Sequence, residues 1–218
     1  DHDIGLWTAN VAKNDRDFLS ATTLGTLYDA RGRLTGDVGD YLRAETALDR
    51  SLATVPTDIG ARILHARLRQ TMHDFPAAMR EAQAILKDDP SQMQALATLG
   101  DAKLELGDYD GAAAAFTTLA TRAPGPAVTA RLSRLAFLRG DTASAGTLAK
   151  RAYDEALAAG QTDAGLGWYA YVAGTVAIAN GTPSDAAAWF DKALAAWPDS
   201  YLALAGRARA EAALGQTN

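Results

Sequence analysis

The chain is 218 residues long, 48% apolar and 22% charged, the proportions of a folded protein rather than a disordered or fibrous one. Its 26 acidic residues outweigh 21 basic ones for a net charge of −5, which argues against nucleic acid as a partner, because phosphate binding needs a basic footprint. With no cysteine there is no disulfide, thiolate nucleophile or cysteine metal site, and no apolar run approaches the roughly 18 residues of a membrane span.

The chain starts at Asp1 rather than methionine and is read as a processed or excised segment, which leaves its compartment open. In residues 1–14, Ile4, Trp7 and Val11 recur at three and four residues, the spacing of one helical stripe. From there the chain repeats. Asp-aromatic pairs fall at Asp40-Tyr41, Asp74-Phe75 and Asp108-Tyr109, and prolines at Pro56, Pro90 and Pro124, each series spaced by 34 residues. Two independent marks with one period in the 20–50 residue range are the signature of a solenoid.

Each unit reads as two helices. In "MQALATLGDAKLELG" the apolar Leu96, Leu99, Ala102 and Leu106 share a stripe. Gly107 then breaks the helix and Asp108 is a good N-cap for the next. Ala112, Phe116 and Leu119 form the stripe of the second helix, and Pro124 stops it. The small Gly100 and Ala112 let the two helices approach closely. The units are 15–56, 57–90, 91–124, 125–160 and 161–198, with single helices expected over 1–14 and 199–218.

"LGDAKLELGDYDGAAAAFTTLATRAP" resembles a tetratricopeptide repeat, with Leu99, Gly100, Ala112, Phe116 and Pro124 at the family's marked positions. The other units are weaker copies. They keep Leu24, Gly25, Tyr28, Ala44 and Pro56; Ala66, Ala78 and Pro90; Gly140-Asp141 and Ala145; and Gly174, Gly181, Ala186, Phe190 and Pro198. The resemblance implies an all-α, right-handed superhelical solenoid of antiparallel helix hairpins, about five repeats plus terminal half-repeats. The later portion is similar to bacterial tetratricopeptide proteins of unassigned role, which points to a bacterial source. The first unit carries seven extra residues, and the step from Gly140 to Gly181 is 41 where that from Gly107 to Gly140 is 33. Seven residues are about two helical turns, so longer helices are expected there rather than extra loops. The end helices either cap the array or are cut from a longer one.

The chain offers few groups for catalytic chemistry. The histidines His2, His65 and His73 lack metal-ligand spacing and read as surface or partly packed residues. No nucleophile elbow, phosphate loop, dinucleotide fingerprint or zinc-protease motif occurs. The carboxylates read as caps, turns and helix surfaces, and "TPSD" at 182–185 as a capping signal with proline at the first helical position. No catalytic residues, cofactor or metal are expected.

The resemblance places the first helix of each unit along a concave groove that takes a partner's peptide or helix. The equivalents of Asp101 there are Thr26, Arg67, Arg134, Thr175 and Arg209. Three arginines in a net acidic chain either form a row for acidic peptide side chains, through bidentate hydrogen bonds, or are good helix formers on a wet surface. The family's carboxylate clamp needs lysine and asparagine at groove positions where this chain has neither. "GWYAYVAG" at 167–174 sets Trp168 and Tyr171 on one face, either as an anchor for a partner or as packing against the lengthened helix before it. Trp189 and Trp197 read as core or interhelical. The resulting reading is a non-catalytic protein-interaction scaffold whose groove residues are Arg67, Asp101, Arg134, Trp168, Tyr171 and Arg209. The alternatives are the repeat portion of a larger enzyme or envelope or secretion assembly, and self-association.

Overall fold

The structure, a computed structural model, describes residues 2–215; Asp1 and Asn218, the outer limits of the two expected end helices, lie outside them. All regular elements among these residues are helices. They are α1 (His2–Lys13), α2 (Phe18–Thr35), α3 (Val38–Thr54), α4 (Ile59–Thr71), α5 (Phe75–Asp88), α6 (Met93–Glu105), α7 (Tyr109–Arg122), α8 (Pro126–Leu138), α9 (Thr142–Ala158), α10 (Asp163–Ala179), α11 (Pro183–Ala196) and α12 (Tyr201–Ala213). Among the described residues the helices form two compact units, one ending at Asp108 and the other beginning at Tyr109. None is long and apolar enough to cross a membrane.

The seven-residue insertions lengthen helices. α2 and α3 have 18 and 17 residues and α9 and α10 have 17 each, against 12 to 14 elsewhere. An insertion of nearly two whole turns keeps the same face of each helix inward.

Close helix approach rests on small residues. Ala44, Ala78, Ala112, Ala145 and Ala186 stand at equivalent points of the second helices and are all fully buried. In the first unit a Cβ on Gly25 would come within 2.8 Å of the Leu48 side chain. In the second, Ser133 stands where glycine stands at positions 100 and 174. Its buried hydroxyl donates to the carbonyl of Ala145 at 2.8 Å, so the polar group is satisfied. α1 is held by Val11, Ile4 and Trp7 against Ala21, Leu24 and Ala47.

Aspartates cap several of the helices. Asp17, Asp37, Asp58, Asp74 and Asp141 accept from backbone N–H groups of the first turn. At "TPSD" the helix does begin at Pro183, but Thr182 makes no cap. Its hydroxyl turns back and donates to the carbonyl of Ala177 at 3.1 Å. Asp40 is also not a cap. α3 begins earlier, at Val38, and Asp40 lies buried in its first turn.

Four hairpin turns share one backbone pattern. The N–H of Asp74, Asp108, Asp141 and Thr182 each donates five residues back, at 2.8, 2.9, 2.9 and 3.0 Å, the Schellman arrangement. It needs a left-handed residue just before, supplied by Gly107, Gly140 and Gly181 at φ 84°, 83° and 73° and by His73 at φ 63°. A non-glycine residue is strained there. His73→Gly is therefore expected to stabilise the first unit by about 0.5–1 kcal/mol, read as a higher urea midpoint. An unchanged or lower midpoint would show that the edge-on contact of His73 with Phe75 at 5.4 Å offsets the strain.

Candidate functional site

Within each unit the first helices of successive hairpins touch one another. α4 meets both α2 and α6, and α10 meets both α8 and α12. Their sides facing away from the second helices form a layer of exposed and half-exposed residues, and the expected groove positions fall on it.

In the first unit this layer is charged. Arg67 is half-exposed, and its Nη2 donates to Asp29 Oδ2 at 2.6 Å. Asp29 is fully buried on α2 and also pairs with Arg33 at 2.9 Å. Burial pushes the Arg67 guanidinium's pKa down and Asp29 opposes the shift. Arg67 thus has a structural task. Asp101 sits half-exposed on α6.

Two further buried polar groups lie in this unit. Asp40 accepts from Arg31 Nε and Nη2 at 2.6 and 2.7 Å, a bidentate pair, and from Arg43 at 2.6 Å. The Arg31 hydrogen bond, aided by Arg43, holds its carboxyl below the usual range against the opposing effect of burial. His65 is 7% exposed. Its Nδ1 lies 2.9 Å from Glu81 and its Nε2 3.2 Å from Asp49, the second outside hydrogen-bond alignment. The buried carboxylates do not fit the surface and cap roles read from the sequence, while His65 takes the packed rather than the surface role read for the histidines. Each of the two aspartates faces guanidinium groups rather than a second acid. Among the described residues no cluster of three or more His, Asp or Glu is placed to hold a metal ion.

The His65 cluster sets a pH dependence. The hydrogen bond to Glu81 raises the His65 pKa, aided by Asp49 and opposed by burial and by Arg69. A histidine held charged in the fold gives stability that is full below its unfolded pKa, near 6.5. That stability fades as pH rises through the higher folded value. His65→Gln is expected to cost more stability at pH 6 than at pH 8.5, measured by urea unfolding. An equal cost at both would place the charged form outside the native balance.

In the second unit the layer holds a recess of about 210 Å³. Tyr171, Thr175 and Ile178 line it at successive turns of α10, and Leu202, Ala205 and Arg209 line it from α12. Phe190 of α11 forms its floor, with Tyr171 packed on that ring at 6.0 Å. Glycines make this approach possible. A Cβ on Gly174 would meet Phe190 at 2.7 Å, and one on Gly206 would press still closer into the same ring. Arg209 is the only charged residue in the lining, and its guanidinium has no ion pair or hydrogen bond among the described residues. Asp191 and Glu211 are both bound by Arg207, at 2.7 Å each.

The structure therefore brings Tyr171 and Arg209 to one place. Trp168 lies one turn earlier on the same stripe of α10, 45% exposed, with its ring edge-on to Tyr169 at 5.1 Å. Arg134 is exposed on α8, outside the recess, and takes part in contacts of its own. Trp189 packs edge-on to Tyr153 at 5.2 Å with Lys192 over its ring at 4.2 Å, and Trp197 lies against Gly167. The sequence signals for the recess were Gly174 and Phe190. The contributions of Ile178, Leu202 and Gly206 carried no mark of their own.

The family model described as tetratricopeptide repeat matches residues 63–125, 97–164 and 171–217, together well over half of the chain. The chain belongs to the tetratricopeptide-repeat family. No curated protein matches it by sequence. Among solved structures it is similar to a thermophilic tetratricopeptide protein in Thermus thermophilus, at 19% identity and a TM-score of 0.75, over 90% of this chain and 98% of the other. It is also similar to a tetratricopeptide protein from Parabacteroides merdae, at 16% and 0.79, over 95% and 76%. A third is YrrB, a tetratricopeptide protein with an unusual peptide-binding site, at 16% and 0.51, over 93% and 97%. At such identities these likenesses show the fold. That fold, a tetratricopeptide helical repeat, is the fold of a protein–protein interaction scaffold, and proteins of this kind are generally non-catalytic.

Proposed function

We propose that this tetratricopeptide protein is a scaffold that holds a segment of a protein partner against the exposed side of its first helices. The observation that carries the reading is the recess between α10 and α12. It joins a tyrosine ring and aliphatic surface to an uncommitted arginine, and tyrosine and arginine are residue types enriched at binding hot spots. Its volume of about 210 Å³ is below the roughly 300–1,000 Å³ of sites that enclose small molecules. It suits one side chain of a larger ligand. A structural relative described as having a peptide-binding site on the same fold supports the reading. The outer side offers less. Lys192 is stacked on Trp189, and Lys150 and Arg151 are spent on i,i+4 pairs with Asp154 and Glu155.

The test is a quantitative pull-down from extract of the source cells with three baits. These are the unaltered chain, an inner-side variant (Arg134→Glu, Tyr171→Ala, Arg209→Glu) and an outer-side variant (Arg151→Glu, Lys192→Glu). Proteins held by the first and third baits and lost from the second are the expected result. Loss on the outer-side variant alone would overturn the reading.

A further inference from the structure

Resting on that reading, we infer that the recess between α10 and α12 is an anchor site for an acidic-aliphatic peptide segment. One Leu- or Ile-sized side chain enters the recess, and an Asp or Glu one or two residues away pairs with Arg209. Three observations carry this. First, Ile178, Leu202, Ala205 and the ring of Tyr171 line the recess over the buried Phe190, so the larger part of its surface is apolar and an aliphatic group gains from burial against it, whereas a polar group buried there without a partner would lose its hydrogen bonds to water. Second, the space fits one such side chain, and its opening lies on the helix layer where an extended segment would pass.

Third, the charge is complementary to an acid. Arg209 is the only charged lining residue and is unpaired among the described residues. The acids Asp191 and Glu211 are already held by Arg207, so nothing in the second unit competes for it through those groups. A guanidinium presents a planar fork that binds a carboxylate through two parallel hydrogen bonds. Thr175 does not offer a second donor, since its hydroxyl donates to the carbonyl of Tyr171 at 3.0 Å. The site therefore reads one carboxylate and one aliphatic group, and a partner lacking either loses half of the recognition.

The probe is a library of random seven-residue peptides displayed on phage and selected on the intact folded chain. Recovered peptides are then titrated and followed by amide chemical shifts. Sequences with an aliphatic residue one or two positions from Asp or Glu are expected, shifting amides in 171–178 and 202–209. Affinity is expected to fall at least about tenfold for Arg209→Glu, to be partly kept in Arg209→Lys, and to be lost in Ala205→Trp, which fills the recess. Circular dichroism melts show whether each variant is folded. Several results would overturn the site: recovered peptides without an acid, binding unchanged in Arg209→Glu, or free N-acetyl-leucine binding as tightly as the peptides. So would the absence of any peptide recovered above background. Peptides that shift only α8 amides would refute this anchor while leaving the scaffold reading intact.

Discussion

Phe190→Ala is expected to destabilise the second unit by about 3–5 kcal/mol, the range for removing a fully buried aromatic ring. Phe190 is 1% exposed and is enclosed by Ala186, Ala187 and Ala210 with Tyr171 at its side. The neighbouring helices already approach so closely at Gly174 and Gly206 that no side chain there can swing in to fill the space. The cavity would therefore remain, and its cost adds to the lost burial. Three of the four tryptophans, at 168, 189 and 197, lie in this unit. In a Trp7→Phe background their fluorescence follows its unfolding alone, which matters because repeat arrays need not unfold in one step. A loss below about 1 kcal/mol would mean that the helices collapse onto the site.

Arg67→Glu is expected to cost the first unit about 2–3 kcal/mol, whereas Arg209→Glu leaves stability within about 0.5 kcal/mol. Asp29 is fully buried, and removing one arginine while adding a second carboxylate leaves its charge under-compensated. The value sits at the low end because Arg33 remains and the Arg67 side chain is 43% exposed. Arg209 has no partner to lose among the described residues. Urea unfolding followed by Trp7 in a background with the other three tryptophans changed to Phe for the first change, and by those three in the Trp7→Phe background for the second, separates the two roles. Equal costs would contradict the assignment of one arginine to the fold and the other to the surface.

The repeat was legible because its marks are local. A left-handed glycine, a capping aspartate and a buried alanine each answer to their own neighbours in the chain, and recur at one spacing. The lengthened helices were legible because seven residues nearly close two turns. What the sequence concealed depends on neighbours from other helices. Asp29 looks like a surface acid until α4 brings Arg67 to it, Asp40 until α2 brings Arg31 to it, and His65 looks incidental until Glu81 of α5 lies beside it. His73 carries no glycine signal, so its left-handed turn shows only in the backbone. Of the expected groove residues, Tyr171 and Arg209 come together at one recess. That follows from the bare Gly206 backbone of α12 settling on Phe190, a packing event with no pattern in the local sequence.

We propose that a protein partner lies against the first-helix side of the second unit, at the recess between α10 and α12. It is tested most directly by placing a photo-cross-linking amino acid at single positions and irradiating intact source cells. Thr175 and Ala205 probe the recess, and Lys192 and Asp154 probe the outer side. A discrete higher-mass adduct is expected at Thr175 and Ala205, lost when Arg209→Glu is added, and none at Lys192 or Asp154. Adducts confined to the outer positions, or unaffected by Arg209→Glu, would contradict it.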